Sequence, residues 1–548
     1  MKLLLIQPPI QDFYDTNIRL QPLGLAYLKA AVRKHYPAIE VVLKDYHQGY
    51  GRRTIALPAD LSYLREYFPY HDLSPFSTFH SYYHFGAGFE LIGREVAQEK
   101  PDLVGISALF SPYHREVLAC SREIKKRLDV PILVGGSHVS AAPLSILRDP
   151  NVDFVIRGEG EQPLVEWLKT FKQGSAWQKV PNLGFKKNNQ MVLNPLGEHE
   201  QFNELAWPDF SDLPLDRYVF KKKPLCFIAT SRGCPHGCSF CSVQTTFGRG
   251  FRQRPNDDIL AEIKKRYEEG FRVFDFEDDN LTFDKASAKE LLRGLIKEFQ
   301  PGLVHFTAMN GLSYLSLDQE MLELMKQAGF TDLNIALVSA GHWVLSELGR
   351  PHSLEKYNEV VEQAYLVGLN ITSYQILGLP QETLDEMIDT LAVLSQQPVL
   401  IGASIFYLTP GCSLAGQYPE TTESDIFKSR STAMAIETEH FKREDLYTLF
   451  VMARIINFLK GIQSVDQKLT LHQALAILKN FDKRSSLGAE ILERLFQEKK
   501  LYAATRQGFK LLPRFKTALF FKAWKKIGFI TTRQGTRIEI TSYLKNQK

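Results

Sequence analysis

Cys234-Pro-His-Gly-Cys238-Ser-Phe-Cys241 follows the apolar run 226–230 and the turn Ser231-Arg232-Gly233, and its three thiols decide how the rest of the chain is read. A structural zinc wants four protein ligands. A cubane iron–sulfur cluster wants one ligand per iron. Three closely spaced cysteines therefore fit a four-iron cluster whose last iron stays open to a substrate or cofactor. Gly233, Pro235 and Gly237 let the backbone wrap tightly and set the sulfurs on one face. On spacing alone two plainer readings compete: three free thiols in a loop, or a zinc site completed by His236.

Outward from this loop, strand-like apolar runs recur at 226–230, 271–276, 304–309, 333–338, 371–377 and 403–408. Helical patterns fill the gaps at 258–269, 286–299, 318–328, 354–367 and 383–395. Such β/α units predict a partial, open (β/α)6 relative of the eightfold barrel, over 224–422. Barrels of this kind keep their chemistry at the carboxyl ends of the strands, and the cysteine loop follows the first of them.

The amino-terminal part, 1–172, reads as a doubly wound parallel sheet. Its strands are predicted at 2–7, 39–44, 102–107, 131–135 and 153–157, with helices opening at Pro22 and spanning 115–127 and 161–171. Ligands of such sheets lie beyond the carboxyl ends of the strands. Three loops fall there: Ser107-Ala108-Leu109-Phe110-Ser111, Gly135-Gly136-Ser137-His138 and Gly158-Glu159-Gly160-Glu161. Small residues at these points let a bulky ligand approach the backbone, although glycines after strands are common in any such fold. The insertion 46–88 is rich in aromatics and histidine without a clean period. It is expected either to cap a ligand or to pack a small core of its own. A proline-dotted linker, 173–223, includes an extended strap at 207–218. A mainly helical region, 423–548, follows, with helices predicted at 433–441, 443–461, 471–478 and 489–499.

The cysteine loop, with its aromatic before the last thiol, resembles the radical S-adenosylmethionine (SAM) superfamily, and residues 1 to about 220 are similar to the cobalamin-binding half of its cobalamin-dependent class. The resemblance implies that Cys234, Cys238 and Cys241 hold a 4Fe-4S cluster, that its open iron chelates SAM, and that the reduced cluster cleaves SAM to a 5′-deoxyadenosyl radical. It places Phe240, Ile376 and Gly378 near the adenine. Glu277 or Asp278 then faces the SAM ammonium, at the end of the second barrel strand. On the fourth strand Ala336 and Val338 stand where the family carries glycine and glutamate, leaving Ser339. Gln381 and Glu382 follow Gly378 much as in the family's Gly-x-Pro-x-Glu signature. Ser107, Leu109, Gly135, Gly136, Ser137, Gly158 and Glu159 are implied to line cobalamin. The string Asp45-Tyr46-His47-Gln48-Gly49 is misplaced and misspaced for the usual cobalt-ligating histidine motif, so cobalamin is expected without a histidine on cobalt. Cys412, in Thr409-Pro-Gly-Cys-Ser413, is either a reactive thiol at the active rim or a small buried residue. Cys120 and Cys226 read as structural.

The resemblance points to a C-methyltransferase. A radical cyclase or rearrangement catalyst, and a non-catalytic cluster or cobalamin sensor, are the alternatives. A methylthiotransferase fits poorly, since no second cysteine triplet exists. Expected partners are a small-molecule or natural-product substrate and an electron donor such as flavodoxin or ferredoxin. Composition agrees: over 548 residues the net charge is only +4, which makes no case for nucleic acid, and Lys221-Lys222-Lys223 and Lys525-Lys526 read as solvated faces. No apolar run reaches the ~18 residues that would suggest a transmembrane segment. The start, stopped early by Pro8-Pro9, does not read as a signal peptide. Six cysteines, three in one loop, fit a cytoplasmic protein better than a disulfide framework.

Overall fold

Leu3-Leu4-Leu5-Ile6 lies buried in the strand next to one edge of a seven-stranded sheet in the computed structural model of the chain, which describes residues 1–14, 21–171, 176–199 and 201–541. Both faces of this strand, Lys2–Gln7, are covered, which explains its unbroken apolar run. Five parallel strands run in the order Glu40–Asp45, Lys2–Gln7, Leu103–Ser107, Ile132–Gly135 and Phe154–Ile156. That is a doubly wound order, and its switch point falls between the first and third strands.

The hairpin Leu183–Lys187 and Gln190–Leu193 continues this sheet antiparallel. The stretch 173–223 is therefore not an extended linker throughout. Its later part does act as a strap. Asp209 N–H donates to Ala26 O (3.0 Å), Trp207 Nε1 to Asp258 Oδ1 (2.8 Å) and the Tyr218 hydroxyl to Asp45 Oδ2 (2.5 Å), so it ties the first sheet to the barrel.

The insertion 46–88 contains the strands Arg52–Ile55 and Tyr82–Phe85, which pair with each other, the second also pairing with Ile10–Asp12, in a small antiparallel sheet. Several of its aromatics pack on the carboxyl-terminal helix Arg443–Lys460. Tyr67 meets Tyr447 edge-on at 5.4 Å, Phe79 stacks on Phe450 at 5.7 Å, and Phe76 meets Phe458 at 5.2 Å. The segment is thus a seam between distant parts of the chain, which neither expectation foresaw.

The barrel carries the six predicted parallel strands: Lys223–Ile228, Val273–Phe276, His305–Thr307, Asp332–Val338, Asn370–Leu377 and Val399–Ile405. The last begins four residues before the run at 403–408. They form two groups of three, joined through the bridges Phe306–Phe330 and Leu312–Ile335. The helix Leu384–Gln396 starts in a capping box, where the Thr383 hydroxyl accepts from Glu386 N–H while the Glu386 carboxylate accepts from Thr383 N–H.

Beyond the barrel, no helix forms at 433–441. Met434 adopts φ +46°, and its carbonyl accepts from Arg443 Nε. The other predicted helices are present, yet this region also holds the strands Lys468–Thr470, Phe529–Thr531 and Arg537–Glu539 and the hairpin Tyr502–Thr505 with Gly508–Leu511. Among the described residues no helix is long and apolar enough to cross a membrane.

Candidate active site

The cysteine loop is anchored at its root. Gly233 sits at φ +84°, and a Cβ there would lie 2.2 Å from Gly250 O, so only glycine fits. Its N–H donates to Asp279 Oδ2 at 3.0 Å. Farther along, Ser239 N–H donates to Leu348 O and Ser239 O accepts from Leu414 N–H, both at 2.9 Å, which pins the loop between the ends of the fourth and sixth strands. A Cβ on Gly237 would meet nothing within 4 Å, so the loop's face is open at that point.

Cys234, Cys238 and Cys241 are free thiols close enough to act on one another electrostatically. Burial pushes the Cys241 thiol up to about 11, so iron binding must displace its proton. Two nitrogen donors approach the sulfurs: Asn280 Nδ2 lies 3.6 Å from Cys234 Sγ and Arg350 Nη1 3.9 Å from Cys238 Sγ. Arg350 is held by Ala336 O at 2.9 Å. Donors to sulfur tune a cluster's potential. Three thiols with nitrogen donors behind them, on an open loop at a strand end, are the donor types a three-cysteine cluster takes, although among the described residues no three such side chains are drawn into a ready-made metal cage. Neither Asn280 nor Arg350 is singled out by spacing.

The SAM-side expectations divide. Phe240 and Ile376 join one apolar patch with Val338, Leu348 and Leu379, as a flat ring requires. Asp278 does not face a ligand. It is buried, and its carboxylate accepts from Thr230 N–H and Oγ1 and from Ser231 N–H and Oγ. Burial raises its pKa while these donors oppose the shift. Glu277 is half-exposed and accepts from Asn310 Nδ2 at 3.0 Å, which leaves it the better partner for an ammonium. Asp279 is also half-exposed, and burial pushes its carboxyl up to about 6.

Ser339 is buried, and its hydroxyl donates to Glu382 Oε1 at 2.7 Å, so it supports the fifth-strand loop and does not reach a ligand. The space over Gly378 (φ +81°) is filled by Leu446 and Phe441. Its glycine serves packing against the carboxyl-terminal region. Just before Ser339, Val338 takes φ +71° at a break in the strand register, a costly conformation for a β-branched residue. Cys412 is a buried member of the Phe240 patch. Cys120 and Cys226 are buried in the cores.

The three loops of the first sheet also differ among themselves. Ala108 N–H donates to Gly135 O (2.7 Å) and Ala108 O accepts from His138 N–H (3.0 Å), which zips the first two loops together. A Cβ on Gly136 (φ +118°) would lie 2.7 Å from Ala108 O, whereas one on Gly135 would meet only Ile156 O at 3.6 Å. His138 donates and accepts between the Ser111 and Ser145 hydroxyls, and burial drives its pKa down to about 3, so it is neutral. Leu109 and Phe110 are 39% and 45% exposed, an apolar shelf beside Ser107. Ser137 opens the short helix Ser137–Ala141. Open apolar side chains next to a glycine step fit a large flat ring such as a corrin. His47 lies beyond the second strand, buried against Phe85.

Glu159 is not free for a ligand. Its oxygens meet Arg232 Nη1 (2.7 Å), Arg252 Nη2 (2.9 Å) and His199 Nδ1 (2.7 Å). Burial opposes ionisation, and the two guanidinium groups outweigh it, holding the carboxylate below its ordinary range.

The two sets of loops share one interface. The helix Ser137–Ala141 packs on Val243–Phe247, the helix that follows Cys241. Gly411, after the sixth strand, fits only because it lacks a Cβ, which would lie within 3 Å of Ala141 and Thr245 atoms. Tyr14 is 45% exposed, yet burial pushes its hydroxyl up to about 12. Tyr407 is 37% exposed, is raised by burial too, and feels Asp12 and Cys241. The sequence carries no signal for either tyrosine.

Comparison with known proteins agrees with this architecture. The family model of the radical SAM superfamily matches residues 228–394, and that of the B12 binding domain matches 83–168. An uncharacterized methyltransferase of Pyrococcus horikoshii, PH0819, is 26% identical, with 71% of this chain and 77% of that protein covered. Cytidylyl-2-hydroxyethylphosphonate methyltransferase of Streptomyces wedmorensis is 25% identical, covering 70% and 75%. The solved structure of the radical SAM methyltransferase TsrM of Kitasatospora setae, with cobalamin and a [4Fe-4S] cluster bound, superposes with a TM-score of 0.58 at 17% identity, over 76% of this chain and 75% of that one. That likeness shows the fold.

Proposed function

We propose, from the premise that this chain belongs to the cobalamin-binding class of the radical SAM superfamily, that it is an enzyme that methylates an unactivated carbon of a small molecule. One observation supports this reading above the others. The helix after the glycine step and the helix after the cysteine triplet pack directly together, so a methyl source and a hydrogen-abstracting site would lie on either side of one interface. A sensor has no need of that juxtaposition.

When bound, the cluster with SAM supplies hydrogen abstraction, and the corrinoid supplies a transferable methyl group. The chain's own residues do the positioning. Cys234, Cys238 and Cys241 give up their protons to hold iron, while Asn280 and Arg350 place positive N–H edges behind the sulfurs. Glu277 offers a carboxylate to the ammonium of SAM, and Phe240 with Ile376 offers an apolar face to the adenine. Leu109 and Phe110 give the corrin an apolar seat. Tyr14 and Tyr407, both partly exposed, stay protonated and can offer neutral hydroxyls to a substrate. A small electron-transfer protein of the flavodoxin or ferredoxin type is the fitting reductant.

Anaerobically reconstituted protein with reductant, SAM and candidate substrates tests the reading through its products. Methyl transfer yields 5′-deoxyadenosine and S-adenosylhomocysteine together. 5′-Deoxyadenosine without S-adenosylhomocysteine would favour cyclisation or rearrangement, and neither product would leave only a sensor.

A further inference from the structure

Arg232 immediately precedes Gly233-Cys234, yet its side chain belongs to the other half of the molecule. It is 9% exposed. Its Nη1 donates to Glu159 Oε1 and its Nη2 to Glu161 Oε1, each at 2.7 Å, so a single guanidinium spans both carboxylates of the 158–161 loop. The rings of Tyr27 and Phe202 stand 4.9 and 4.6 Å from its centre. In such surroundings the charges are poorly screened, and breaking either contact strands a buried charge. Arg252, paired with Arg232 in the short ladder at the root of the cysteine loop, reaches the other oxygen of Glu159 at 2.9 Å.

The far end of the cysteine loop is gripped from the same side. Gly158 N–H donates to Ser140 Oγ at 2.8 Å, at the end of the helix Ser137–Ala141. That helix packs on Val243–Phe247, and a Cβ on Gly158 would lie 3.5 Å from Thr246 O. The loop implied to seat cobalamin therefore holds both flanks of the cluster loop. A shift of the 158–161 loop therefore pulls on Arg232, which is joined directly to Gly233-Cys234.

We propose that Arg232 is a positioning residue that makes corrinoid binding and SAM binding depend on one another. The inference rests on the assignment of cobalamin to the first sheet and of the cluster to the cysteine loop. Coupling of this kind is reciprocal: hydroxocobalamin must change the affinity for SAM by the same factor by which SAM changes the affinity for hydroxocobalamin.

The experiment uses full-length protein with its cluster oxidised, so that SAM is bound and not consumed. Equilibrium dialysis gives the SAM Kd with and without hydroxocobalamin, and the hydroxocobalamin Kd with and without SAM. The wild-type protein is expected to show a coupling on the order of tenfold. Arg232→Lys, which keeps the charge and gives up the fork, and Glu161→Gln are expected to retain iron and to bind each ligand singly, with the coupling falling toward one. Coupling that persists unchanged in both variants, or is absent from the wild type, overturns the proposal, because Arg232 is then a static strut. Loss of iron from both variants overturns it as well, since a positioning residue leaves the ligands in place. Failure of wild-type protein to retain iron or corrinoid would instead refute the cofactor assignment, and it is read separately.

Discussion

The cysteine loop and the 158–161 loop meet at the same interface and are built in opposite ways. The thiols of the first are unbridged, approached by the longer contacts from Asn280 and Arg350 and by the backbone of His236 and Val243. The carboxylates of the second are engaged by Arg232, Arg252 and His199. One loop is made to receive a group and the other to hold a position. A triplet with fixed spacing marks a receiving site well, because no packing role demands that spacing. A single carboxylate at a strand end does not, since Asp278 and Glu159 have the same residue types as a ligand contact and act as internal struts.

The contrast is broken most severely at the triplet. Replacing Cys234, Cys238 and Cys241 together by alanine should take iron from about four per chain to none and abolish reductive SAM cleavage, with the far-ultraviolet circular dichroism unchanged. Cleavage that survives would refute the site. The strut side should fail differently. Asp278→Ala strands four buried donors and should cost about 3–5 kcal/mol of stability in denaturant titration. Glu277→Gln should leave the midpoint in place and weaken SAM binding about tenfold. The reverse pattern would exchange the roles of these two neighbours.

A subtler comparison lies within the glycine step. Gly136→Val forces a side chain against Ala108 O and should destabilise the first sheet whether or not cobalamin is present. Gly135→Val meets no such obstacle and should lower corrinoid retention in gel filtration, with iron content unaffected. Equal loss of stability in both would show that Gly135 is structural too.

A further comparison is a pH slope. Burial pushes the Glu382 carboxyl up to about 8 from its ordinary 4.5. The folded chain therefore holds this proton after the unfolded chain has released it. The stabilisation is complete below about 4.5 and is lost as pH rises through about 8, at about 1.4 kcal/mol per pH unit from this group. Glu382→Gln should flatten that slope in unfolding measurements between these limits. An unchanged slope would mean that Glu382 is ionised in the folded protein.

Much of the scaffold was legible because parallel strands covered on both faces read as plain apolar runs, such as Leu3-Leu4-Leu5-Ile6 and the six runs of the barrel. The hairpin 183–193 was also encoded, in Asn188-Asn189, both at positive φ as a two-residue turn between antiparallel strands requires. Proline scatter around it obscured that signal. Other features leave no local trace. Val338 in a left-handed conformation, Arg350 behind Cys238 and the clamp on Arg232 arise from contacts between segments far apart in the chain. The aromatic insertion was unreadable for the same reason, because its partner helix begins at Arg443.

The central claim is that the cysteine loop and the strand ends of the first sheet hold their cofactors side by side, across the interface where Ser137–Ala141 packs on Val243–Phe247. Electron paramagnetic resonance of the reduced protein holding both cluster and cob(II)alamin tests it most directly. Shared occupancy predicts magnetic interaction, seen as broadening or splitting of both signals relative to samples that hold either centre alone. A spectrum equal to the sum of the two isolated signals, with both sites filled, would contradict it.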